Sequence, residues 1–76
     1  LDAVRAHQIT SMNQSMTALR TELKNDYPNA QDDNITLVAR GILANYLNSE
    51  SLLPFGLKQE VEQLKQVSLL LLRTLA

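Results

Sequence analysis

The chain has one histidine, His7, and no cysteine in 76 residues. Any catalytic or metal chemistry would therefore rest on carboxylates, hydroxyls and a single imidazole. A working imidazole needs a nucleophile or an orienting carboxylate within hydrogen-bond reach. The acid nearest to it in sequence is Asp2, which stands about 140° away round a helix. The two do not share a face, so His7 reads as a surface or packing residue. The densest acidic group, Asp32-Asp33-Asn34, invites a calcium reading, but an EF-hand loop wants glycine at its sixth position and glutamate at its twelfth. Counted from Asp32, those positions hold Leu37 and Leu43. Glu60 and Glu62 lie about 200° apart on a helix and form no acid/base pair. Gly41 and Gly56 are isolated, so there is no glycine-rich phosphate loop. Asn13-Gln14-Ser15 and Asn34-Ile35-Thr36 match the N-glycosylation tripeptide, but it is frequent by chance, and both fall on or beside expected helices. No catalytic, cofactor-binding or metal-ligating residue is assigned, and the chain is read as a non-enzyme without a cofactor.

Composition points the same way. The net charge is −1, without the basic footprint that phosphate neutralisation requires. The alternative reading, a small DNA-associated helical regulator, would place Lys58 and Lys65 as its nucleic-acid contacts. They would sit on a helix that also presents Glu60 and Glu62, and these carboxylates would meet phosphates unfavourably. The turn before that helix, Asn48 to Phe55, is also longer than a helix-turn-helix allows. Zero cysteine excludes a disulfide framework and removes the best zinc ligands. The longest apolar stretch, Val67 to Leu72, is broken by Ser68 and is far short of the roughly 20 residues of a membrane span. With no basic leader before an apolar run, the expected location is cytoplasmic. Because the chain opens on Leu rather than Met, the expectation is a piece of something longer.

The elements that must position these residues are helical. Hydrophobic residues make up 45% and aromatics 4% of the chain, with two glycines and two prolines. Such a core of Leu, Ile, Val, Met and Ala suits helices better than strands. Leu1, Ile9, Met12, Met16, Leu19, Leu23 and Tyr27 share one side of a first helix over about Asp2–Asp26. Arg5 and Gln8 intrude on its early half, which should be poorly buried. Pro28 disfavours helical geometry at Tyr27 and ends the helix. After a loop from Asn25 to Asn34, Asp33 or Asn34 is expected to cap a second helix over about 34–48. The Asp32 and Asp33 charges suit its dipole. Its apolar residues, among them Ile35, Val38, Ile42 and Tyr46, cover about half its circumference, as expected of a central helix touched by two others. Gly41 within it is read either as tolerated or as a place where another backbone comes close. The third helix, about 54–75, follows Pro54 at its first turn. It carries the stripe Leu57, Val61, Leu64, Val67, Leu71 and Leu75, with Lys58–Glu62 and Glu62–Lys65 as surface pairs.

Leu69 to Leu72 are four leucines in succession, and four successive residues point to nearly every side of a helix. Leu71 belongs to the core stripe. Leu72 lies about 80° to one side of it, Leu70 about 120° to the other, and Leu69 nearly opposite. Full burial of one leucine is worth roughly 1.5–3 kcal/mol, and soluble monomers rarely keep large apolar patches. The expected fold is all-α, a small antiparallel three-helix bundle in a single domain over 1–76, completed by self-association. The expected function is a helical protein–protein interaction or oligomerisation module, as a small regulator, adaptor or chaperone-like subunit. Its partner would be a second copy, forming a dimer, or another helical protein. Its interface would centre on Leu69, Leu70 and Leu72, extended by Leu37 and Leu53.

Overall fold

The computed structural model describes residues 2–76 and is an all-α three-helix bundle. Helix α1 spans Asp2–Asp26, α2 spans Asp32–Leu52 and α3 spans Lys58–Arg73, with a 3-10 turn at Leu53–Phe55 between the last two. Helix α2 is central, and α1 and α3 each pack against it. Its wide apolar arc is what allows one helix to serve two neighbours.

The first connection follows from Pro28. Helix α1 stops at Asp26, and the Ala30 amide donates to the Tyr27 carbonyl at 3.1 Å, closing a turn in which Pro28 takes the position its fixed φ favours. Lys24 secures the corner: its Nζ donates to the Ala30 carbonyl at 3.0 Å and lies 3.1 Å from Asp32 Oδ1. Helix α2 starts at Asp32, earlier than expected, with Gln31 as an N-cap that makes no side-chain bond. Asp33 and Asn34 are therefore not caps. Asp32 and Asp33 occupy the first turn, where their charges face the positive end of the dipole.

The far end of α2 is also longer than expected. Asn48, Ser49 and Ser51 resemble a loop in composition, yet the Ser49 and Ser51 hydroxyls donate back to the carbonyls of Asn45 and Leu47, at 2.8 and 3.3 Å. Their polar groups are thus satisfied inside the helix, which continues to Leu52. Pro54 lies in the 3-10 turn instead of opening α3. Gly56, at φ 72°, ends that turn in the left-handed region, a conformation glycine adopts without steric cost. Helix α3 then begins at Lys58.

The core lies where the C-terminal half of α1, the N-terminal half of α2 and the end of the chain meet. Met16, Leu23, Ile35, Val38, Ala39 and Leu75 form it, with Leu19, Tyr27, Ile42, Leu43, Leu71 and Leu72 packed around them. Two parts of the expected stripes lie outside it. On α1 every residue from Asp2 to Ser15 is exposed, Ile9 and Met12 included; Leu1 lies outside the described residues. On α3, Val67 is exposed and Ser68 takes the half-buried position instead. Ser68 fits there because its hydroxyl meets Asn45 Nδ2 at 3.1 Å and donates to the Leu64 carbonyl at 3.2 Å. Leu57 precedes α3 as its N-cap and is exposed. Gly41 is a point of close approach, to a side chain rather than a backbone: a Cβ there would lie 2.8 Å from Leu71 Cδ1.

Candidate protein interface

Away from the core, α2 and α3 leave an open groove with a cavity volume of about 680 Å³. Ile42, Tyr46 and Leu53 line it from one side, and Val61, Leu64 and Leu69 from the other. Its base is polar but satisfied. Asn45 Nδ2 bridges the helices, reaching Ser68 Oγ and, at 3.5 Å, the Leu64 carbonyl. No buried side-chain nitrogen or oxygen among the described residues lacks a partner. The rim carries both signs of charge, Glu50 and Glu62 with Lys65. Glu62 Oε2 lies 3.8 Å from Lys65 Nζ, and Gln66 Nε2 donates to Glu62 Oε1 at 3.4 Å. The Tyr46 hydroxyl is held above its ordinary pKa of 10.0, first by hydrogen bonding to Glu50 and then by that carboxylate's charge.

The expected interface residues separate into three groups. Leu69, at 50% exposure, and Leu53, at 54%, border this groove together. Leu70, at 57%, and Leu37, at 67%, are exposed but do not line it. Leu72 is half-buried and packs against the core cluster. The leucine run thus divides between fold and surface: Leu71 and Leu72 turn inward, Leu69 and Leu70 outward.

Tyr46 was expected among the apolar residues of α2 that face its neighbours, yet it is exposed at the groove. The width of the arc carried no signal for this, since an apolar face covering half of α2 is what a central helix touched by two others shows. Phe55 left no periodic signal either, because it lies in the 3-10 turn, where at 78% it is the most exposed of the large hydrophobic side chains among the described residues.

His7 lies on the exposed half of α1. Lys58 opens α3 and Lys65 is an exposed residue beside Glu62, so the two lysines share their helix face with a carboxylate. Among the described residues, no group of three His, Cys, Asp or Glu side chains converges as a metal site would require. No helix among them is long and apolar enough to cross a membrane. Comparison with protein-family models, curated proteins and solved structures finds no match.

Proposed function

We propose that this chain is a non-enzymatic helical association module that pairs with a second copy of itself through the α2/α3 groove. The observation that carries the reading is that Leu69 and Leu53 border one open groove, each about half exposed. A groove edge of this kind gains free energy when covered. The mixed charge of the rim favours a second copy as occupant, because a two-fold axis lets Glu50 and Glu62 of each copy meet Lys65 of the other. The small core adds a reason to associate: among the described residues only seven hydrophobic side chains are buried. A role as a regulator, adaptor or chaperone-like subunit fits such a module.

The test is solution mass by sedimentation equilibrium across a concentration range, for the wild type and for Leu69→Lys combined with Leu70→Lys. The expected result is a dimer that the substitutions convert to a monomer of unchanged helicity. A wild type that stays monomeric at high concentration, or a double variant that stays dimeric, sinks the proposal.

A further inference from the structure

A second groove lies between α1 and α2, with a volume of about 440 Å³. Met12 and Met16 of α1 and Leu43 and Leu47 of α2 line it, with Arg20 and Arg40 alongside. Three features set it apart. It holds both of the chain's methionines, whose unbranched, polarizable side chains adapt to varied partners. It contains no acidic side chain. The ion pairs among the described residues are Lys24–Asp32 and Lys65–Glu62, so Arg20 and Arg40 have no carboxylate partner. A positive, methionine-bearing groove on a chain of net charge −1 is therefore a local feature rather than a general background.

We infer that the α1/α2 groove docks an acidic amphipathic helix of a different protein. Apolar residues at i, i+3 or i+4, and i+7 of the occupant lie on the methionines and leucines, and its flanking carboxylates meet Arg20 and Arg40. Met12 to Arg20 spans about 12 Å of α1, room for about two turns of an occupant. The apolar lining favours such a helix over a phosphate group, which would have nothing to place there. Charge also disfavours the Leu69–Leu70 face of a second copy as occupant, because Lys65 and Arg73 lie one turn away along α3 and would face Arg20 and Arg40 with like charge. The inference stands beside the self-association reading and does not depend on it.

The experiment is a selection from a displayed library of helical peptides with a leucine stripe and randomised flanking positions. It is run against the wild type and against Arg20→Glu combined with Arg40→Glu. The wild type should enrich Asp and Glu at the flanks, and the charge-reversed variant Lys and Arg. The best acidic peptide, made synthetically, should lose roughly tenfold or more in affinity on charge reversal. A Lys-flanked counterpart should gain affinity for that same variant, which only a folded groove can produce. Met12→Lys should weaken both peptides. The inference is overturned if no helical peptide is enriched, if the flanks show no excess of acid, or if both proteins select the same sequences. It is also overturned if duplex DNA binds the wild type and displaces the peptide through these arginines, or if charge reversal changes the chain's own solution mass, since a second copy would then hold the groove.

Discussion

A methyl group placed on Gly41 would lie 2.8 Å from Leu71 Cδ1, so this glycine and this leucine are coupled although one sits mid-helix and the other near the end of α3. Alanine gains about 1 kcal/mol over glycine in a helix interior, while overpacking costs roughly 1–3 kcal/mol, less where a flexible side-chain tip can move aside. Gly41→Ala should therefore leave stability within about 1 kcal/mol of the wild type, and should stabilise by about that amount in a Leu71→Ala background. Urea melts of the four proteins check this, and equal effects in both backgrounds would mean the contact carries no weight. Leu75 and Leu69 make a second contrast. Leu75 is buried in the core, so Leu75→Ala should cost about 2–5 kcal/mol. Leu69 is half exposed, and Leu69→Ala at concentrations too low for association should cost about 0.5 kcal/mol or less. At Tyr46 the pKa is raised, so the folded state keeps its hydroxyl proton to higher pH than the unfolded state does. The associated stability is present below the ordinary tyrosine value of 10.0 and is lost as pH rises through the folded value. Absorbance titration of Glu50→Gln should show one tyrosine ionising at lower pH than in the wild type.

At the scale of elements, α1 is two unequal halves. From Met16 onward it supplies core residues, while its first fourteen described residues are all exposed. An unsupported helix of that length is marginal in water. Hydrogen exchange should therefore be fastest over residues 2–15, and removing residues 1–9 should change unfolding free energy by about 0.5 kcal/mol or less. A large loss would mean the early half is held by contacts not evident in its exposure. Arg5 and Gln8 within the apolar stripe made this weakness legible from the sequence, as Pro28 did the end of α1. The number of helices and the central place of α2 were legible too, because each rests on the 3.6-residue period. In the leucine run the period placed Leu71 inward and Leu69 and Leu70 outward, but Leu72, expected at the interface, packs against the core. The ends of α2 were not. Asp33, Asn34, Ser49 and Ser51 are residue types that cap or turn as readily as they continue a helix, and hydroxyl bonds to carbonyls four residues back decide for Ser49 and Ser51. The register of α3 was misread at one position for a related reason. Val67 is the more apolar residue, but Ser68 has the hydroxyl that Asn45 requires. The groove itself was out of reach, since periodicity says how wide an apolar face is and not how far apart two helices stand.

The whole molecule is open for its length. Its radius of gyration is 14.0 Å and its extents are 39 × 34 × 14 Å, whereas a compact chain of this size has a radius near 11 Å. Two long dimensions and one short one mean that the helices splay across a layer, so much of each helix has water on two sides. Large hydrophobic side chains consequently remain outside on all three helices: Ile9 and Met12 on α1, Leu37 and Tyr46 on α2, Leu69 and Leu70 on α3. A layer of this kind gains more by pairing than a closed bundle would, because every covered face adds burial that the single chain lacks. If folding and pairing are linked in this way, the thermal midpoint depends on protein concentration. A tenfold increase then favours the folded dimer by about 1.4 kcal/mol per dimer. For a domain of this size that corresponds to a rise of roughly 3–5 °C in Tm. Calorimetry of the wild type over a hundredfold range of concentration should show this slope. Leu69→Lys with Leu70→Lys should flatten it and lower the midpoint towards that of the monomer. A wild-type Tm independent of concentration would mean instead that the open layer is stable alone, and that its exposed leucines await a protein of another kind.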